Sequence, residues 1–488
     1  MAQDKFGRGM RLAVVVAAGV LLPVAGWAEG EVITKQYDNG ATYEGTFVNG
    51  LQEGTGTYRM PNGYEYSGDW VAGQIMGKGR ARYPDGSVYE GQFVAGLPEG
   101  PGKIAFPDGR SYEGDWAGGK MTGKGRAVYV DGTVYEGAFL DGQHHGQGVL
   151  TDGRGYRYDG NWVGGKKEGK GKITWADGAV YEGDLKADER EGQGTLTMPD
   201  GLTYVGQWAD GQINGTGKLT QPSGDVYEGP FVEGLRQGEG KVTYATGEVY
   251  QGGFKADRRE GKGTFTAKDG TSYSGDWVAG QMQGQGRMTY ADGSVYEGAF
   301  KADQPEGKGR ITYRDGTFYD GDWKAGAMTG SGKAGYPGGA AYEGAVVAGK
   351  PEGKGVMTYA DGYRYDGDWK SGTRQGQGTA TWPDGTTYVG GFVAGLRDGT
   401  GTLTQPDGFI YAGGWKAGEM EGQGKATYPS GDVYEGAFVK GRREGPGKLT
   451  YKNGEVSEGI WKAGVMTGPL PEAPVAPAPA AGEAPAAP

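Results

Sequence analysis

Apolar and polar residues along this chain alternate in short runs that return every 23 residues, with no sustained helical stripe. The stretch 89–93, Tyr-Glu-Gly-Gln-Phe, reads aromatic, acid, glycine, polar, aromatic. Period two predicts a strand with one aromatic and one solvated face. With the tyrosine as position 1, the series runs Tyr43, Tyr66, Tyr89 and onward to Tyr434, always 23 residues apart. A nineteenth repeat starts at Ser457, where the tyrosine is lost. Position 3 is glycine from Gly45 to Gly459, and position 5 is aromatic except at Leu185 and Val346.

Within a repeat, positions 6–11 read as a six-residue loop with glycine at position 8. Positions 12–18, such as Gly100 to Phe106, give a second strand. Pro107-Asp108-Gly109 at positions 19–21 supplies turn chemistry. Each repeat is thus one hairpin. The predicted fold is all-β: an elongated single-layer antiparallel β-meander of about 19 tandem 23-residue β-hairpin repeats. Some 38 strands at ~4.8 Å would make a ribbon on the order of 180 Å long.

The rings at positions 1 and 5 are expected to lie over strand glycines, which have no side chain to obstruct them. Volumes suggest that position 5 packs on position 16 of its own repeat. Trp70, Trp116, Trp323, Trp369 and Trp415 go with Ala81, Ala127, Ala334, Ala380 and Ala426, whereas Phe93 and Phe139 go with Ile104 and Leu150. Trp162, Trp208 and Trp277, with Ile173, Leu219 and Met288, depart from this pattern. Tryptophan and phenylalanine alternate at position 5 until Phe231 and Phe254 come in succession.

Composition changes the picture in three ways. The chain has 105 glycines and 23 prolines in 488 residues, which would signal disorder if the glycines were not periodic. It has no cysteine, so disulfides, thiolate metal sites and cysteine nucleophiles are excluded. Its net charge of −11 argues against a nucleic-acid or anionic-lipid binder held by electrostatics. Residues 1–28 carry Lys5, Arg8 and Arg11, an apolar run from Leu12 to Ala25, and small residues, Gly26 and Ala28, at the −3 and −1 positions of a cut after Ala28. They read as a secretory signal peptide, too short in its apolar part to span a membrane, and so predict a periplasmic or secreted protein after cleavage. Residues 29–42 read as an incomplete leading repeat, 43–468 as the array, and 469–488 as a disordered Pro/Ala-rich tail.

The pattern Tyr-Glu-Gly-x-Trp/Phe-x-x-Gly-x-x-x-Gly-x-Gly-x-x-x-Tyr-x-Asp-Gly resembles the MORN (membrane occupation and recognition nexus) repeat, over residues ~37–468. The resemblance implies an elongated antiparallel sheet, often dimeric, acting as a scaffold or binding rod in membrane-linked or cytoskeletal assemblies. Some members of that family carry a catalytic domain beside the repeats. Here the repeats leave no stretch long enough for one, so no enzyme activity, catalytic residue or cofactor is expected.

Three local features invite chemistry. Gly330-Ser331-Gly332-Lys333-Ala334-Gly335 matches the dinucleotide fingerprint but leads into Tyr336-Pro337 with no helix signal, so it reads as periodic glycine. His144-His145, the only histidines, read as an exposed loop pair; with no cysteine and no third histidine, a metal site would need carboxylates from neighbouring loops. Glu44, Glu90, Glu113, Glu136 and Glu182 at position 2 form a ladder on the solvated face. Paired-carboxylate hydrolysis would need one asymmetric pair, whereas every repeat is alike. The function expected is a non-enzymatic scaffold for protein–protein interaction in the cell envelope. The alternative is a carbohydrate- or cell-wall-binding rod whose exposed aromatic rows receive sugar rings. The binding residues and the partner stay open.

Overall fold

The structure, a computed structural model, describes residues 31–471. The segment read as a signal peptide and the tail beyond Pro471 lie outside the described residues. The chain is all-β, with 40 strands and one short 3-10 turn (Pro337–Gly339) among the described residues. It falls into two compact bodies that divide after Arg258.

In the first body, strands β1 (Val32–Gln36) to β21 (Val249–Lys255) form an antiparallel meander in which chain neighbours pair, except that Leu235–Arg236 and Gly238–Thr243 are two pieces of one interrupted strand and both pair with Val226–Val232. The second body repeats this from β22 (Arg258–Thr266) to β40 (Val465–Gly468). A representative repeat has a first strand at Val88–Val94, a second at Leu97–Ala105, and the next repeat's first strand at Ser111–Ala117.

The turn at positions 19–21 forms as expected. Phe106 N–H donates to Arg110 O (2.9 Å), Gly109 N–H donates to Phe106 O (3.1 Å), and Gly109 takes φ 90°. Asp108 Oδ1 accepts from Arg110 N–H (3.2 Å), the local bond that favours aspartate in turns.

The six-residue loop expected at positions 6–11 is not there. The reversal takes two residues, Ala95 and Gly96, at φ 48° and 78°. Positive φ at both central residues marks the tight hairpin turn whose twist matches the strands. The second strand consequently begins at position 9, three residues earlier than the sequence suggested. Glycine at position 12 does not start that strand; it sits in a bulge within it. In the repeat from Tyr66, Gly68 pairs with Gly79 and Trp70 with Ile75, so Met76-Gly77-Lys78 stand opposite Asp69 alone. Gly77 (φ 74°) absorbs the surplus in the left-handed region.

Candidate functional site

The sheet has two unlike faces. One carries positions 1, 3, 5, 10, 14, 16 and 18 and holds the aromatic rings. At Tyr89, fully buried, the ring lies over the paired glycines Gly91 and Gly102. A Cβ on either glycine would come within 2.4 Å and 2.1 Å of the tyrosine hydroxyl. The position-1 rings therefore do rest on bare backbone, as expected; at these glycines the nearest side-chain atoms are the tyrosine's, not those of the position-5 ring. That hydroxyl donates to Gln92 O (3.1 Å), the position-4 carbonyl. The same bond recurs from Tyr66 to Asp69 O (3.0 Å) and from Tyr388 to Gly391 O (3.0 Å). It gives a partner to a carbonyl that stands at the bulge. Burial pushes the Tyr89 and Tyr388 phenols up to about 12, so they stay neutral at ordinary pH.

Position 5 packs in the opposite direction to the one expected. Trp70 Nε1 donates to Gly56 O (3.2 Å), fourteen residues earlier, in the preceding repeat. Trp116, Trp162, Trp208, Trp277, Trp323, Trp369, Trp415 and Trp461 bond the equivalent glycine carbonyl in the same way. The Trp70 ring also meets Tyr43 (5.2 Å) and Tyr58 (6.1 Å) of the preceding repeat. Position 16 of its own repeat, Ala81, instead pairs with Tyr66 and Tyr89. The volume match read within each repeat was thus a match between residues that are not registered partners. Each tryptophan ties its repeat to the one before.

Position 10, assigned to a loop from sequence, is the residue that closes this contact. Arg190 lies over Trp208 (4.2 Å), Arg397 over Trp415 (4.1 Å) and Arg443 over Trp461 (3.9 Å), each ring belonging to the following repeat. His144 occupies the same place and is not an exposed loop residue. It is on a strand (Gln143–Thr151), 5% exposed, stacked on Tyr135 at 3.6 Å, edge-on to Trp162 at 4.8 Å and hydrogen-bonded to Tyr129 Oη at 2.6 Å. Burial lowers its pKa to about 4. His145 shares the strand but not this box of rings. What could have revealed position 10 is its residue choice: Ile75, Met121, Arg190 and Arg397 fill or stack, whereas loops favour small polar residues.

The other face is charged and regular. Arg80–Glu90 (3.0 Å), Arg126–Glu136 (2.9 Å) and Arg287–Glu297 (3.0 Å) join position 15 to the position-2 acid of the next repeat. These pairs are exposed and each adds little stability. They hold the position-2 acids as one side of a salt-bridge ladder. The Gly330–Gly335 stretch lies within a strand (Ala327–Gly335) and meets the 3-10 turn, so its backbone N–H groups serve the sheet. Among the described residues, no group of three or more His, Cys, Asp or Glu is placed to hold a metal, and no helix is long and apolar enough to cross a membrane.

The position-1 and position-5 rings expected to offer an exposed platform are buried, as at Tyr181 and Trp323. Rings left part-exposed include several at position 18, just before the second turn, among them Tyr313 and Tyr359 at 37%, whereas Tyr83 at that position is buried.

The MORN repeat family profile matches eighteen segments of the chain, from 43–63 through 227–249 to 434–456. No curated protein matches. Among solved structures, the TCP10 domain of CPAP from Danio rerio is 16% identical, with 55% of this chain and 99% of that one covered at a TM-score of 0.13. A catalytically inactive virginiamycin B lyase from Staphylococcus aureus is 10% identical, covering 66% and 94% at 0.10. Neither superposes well enough to bear on the fold or the function.

Proposed function

Because the chain belongs to the MORN repeat family, we propose that it is a non-enzymatic scaffold that gathers protein partners, acting in the cell envelope after export. One observation carries this reading: the repeat spends its distinctive side chains on its neighbours. Tyrosine hydroxyls bind strand carbonyls, tryptophan Nε1 groups bind the preceding repeat, and the position-10 residue fills the contact between repeats. What remains for a partner is an extended surface repeated at a fixed interval, which suits recognition over a long contact more than chemistry at one point.

Burial of the position-1 and position-5 rings weakens the alternative of a sugar-binding rod, which relied on those rows being open. The two readings are separated by crosslinking the tagged mature chain in its native envelope and identifying what is captured. Reproducible enrichment of a small set of proteins is the expected result. Retention on purified peptidoglycan with no protein enriched over control would replace the scaffold by a glycan-binding rod.

A further inference from the structure

The part-exposed rings at position 18 form an unbroken series in the second body: Tyr290, Tyr313, Tyr336 and Tyr359. Each is fixed through its backbone by the turn that follows. Tyr290 N–H donates to Ser294 O, Tyr313 N–H to Thr317 O, Tyr336 N–H to Ala340 O and Tyr359 N–H to Tyr363 O, all at 2.8 Å. The second partner in each turn, at position 22, lies between one ring and the next. Where it is aromatic it fills that space, as Tyr363 does at 5.4 Å from Tyr359 and 5.3 Å from Trp382. Within the series of four it is Ser294, Thr317 or Ala340; Ser294 is buried, whereas Thr317 and Ala340 are part-exposed, so two open notches separate the rings of Tyr313, Tyr336 and Tyr359.

The period of this row is two strand spacings, ~9.6 Å. A polyproline II helix advances ~9.3 Å in each three-residue turn, and aromatic-lined grooves are its usual receptor. The chain itself contains such a segment. In the tail, Pro471, Pro474 and Pro477 are three residues apart, which places them on one side of a polyproline II helix at the interval of the notches.

We propose that Tyr290, Tyr313, Tyr336 and Tyr359 form a track for a polyproline II segment, occupied by the tail of a second copy of this chain. Successive prolines of the tail match the two notches at Thr317 and Ala340. The tail comes from another copy because of reach. Pro471 follows the repeat of Ser457, five repeats or ~48 Å from that of Tyr359, and Pro477 is only ~19 Å beyond it. The chain also leaves the array on the opposite face, where Leu470 lines a shallow depression with Lys425, Glu435, Lys448 and Glu458. This deepens the scaffold reading by naming one partner, and it can fail without disturbing capture of other proteins.

The test titrates a fluorescein-labelled peptide of residues 469–488 into the mature chain carrying P471A/P474A/P477A, whose own tail then does not compete. Saturable binding is expected, weakened at least tenfold when the notches are filled by Thr317→Tyr with Ala340→Tyr. That variant copies the arrangement at Tyr363, and an unchanged melting curve confirms that it folds. The unaltered mature chain should self-associate on sedimentation, and excess peptide should reverse this. Three results overturn the proposal: no binding of the peptide, binding indifferent to notch filling, or binding of a β-1,4-linked oligosaccharide in place of the peptide that the same variant abolishes.

Discussion

Glycine serves two physical purposes in this repeat, and they predict unequal penalties. At Gly79 the backbone is ordinary, but a Cβ would stand 2.4 Å from the Tyr66 ring and 2.5 Å from its hydroxyl. At Gly109 the turn needs φ 90° and nothing lies within 4 Å. Gly109→Ala should therefore cost about 1–2 kcal/mol of backbone strain. Gly79→Ala must in addition displace a buried ring, an overpacking cost of roughly 1–3 kcal/mol or more. Hydrogen exchange in the flanking strands should show much the larger loss of protection for Gly79→Ala; equal losses would refute the role given to the ring. His144 adds a pH dependence. Its folded pKa of about 4 lies below the unfolded ~6.5. Its stabilising contribution is therefore complete above pH ~6.5 and falls away between there and pH ~4, by up to about 3 kcal/mol locally. Methionine occupies the same position at Met121 and Met282, so His144→Met should fold and flatten the local exchange profile over that window.

At the level of the hairpin, legibility followed from whether a signal was local. The first strand and the Pro-Asp-Gly turn could be read because alternation and turn residues act within five positions. The second strand was misplaced because glycine at positions 8 and 12 reads as loop chemistry, although Gly96 completes a two-residue turn and Gly77 relieves a bulge. The direction of tryptophan packing was hidden for another reason. In a strict repeat, a residue in the same repeat and its counterpart one period away give the same spacing pattern, and only register tells them apart. The turn itself offers a test. Ala72 holds φ 47°, where Asn49 stands in the first repeat. Asparagine tolerates that region and valine does not. Ala72→Asn should raise local stability by a few tenths to about 1 kcal/mol and Ala72→Val should lower it by more. If exchange rates at Val71–Gln74 did not separate the two variants, the turn would not be the one described.

Across each body, each hairpin pairs with the hairpins next to it along the chain, so stability is a sum of repeats and of the contacts between them. The first strand departs from the pattern. In the register of β1, Ile33 stands opposite Gly45, where an interior repeat would have glycine; the Tyr43 ring covers Gly45 together with Gly56 on the other side. At the other end, Ser457 replaces the tyrosine, and β40 covers Val465–Gly468 alone. Between such ends the number of repeats should be adjustable. Deleting residues 112–134 removes one whole period and leaves Ser111 followed by Tyr135. Phe139 then meets the repeat of Phe93, a succession of two phenylalanines already present at Phe231 and Phe254. The lost Trp116–Gly102 bond leaves with its ring, so no buried indole donor is stranded, although the Gly102 carbonyl loses its partner. Removing the same number of residues from 101–123 also keeps the period, because the ends that are joined, Gly100 and Lys124, stand at successive positions, 12 and 13. It fuses Gly100 to Lys124 inside one second strand, and the outcome should match the first deletion. A deletion of 112–123 alone breaks the register, sets Gly125 where no tyrosine can cover it, and should unfold the repeats around it. Thermal melts followed by near-ultraviolet circular dichroism would show two variants melting within a few degrees of the parent and a third without its cooperative transition. Loss of folding in all three would mean that the body is held by contacts beyond nearest neighbours.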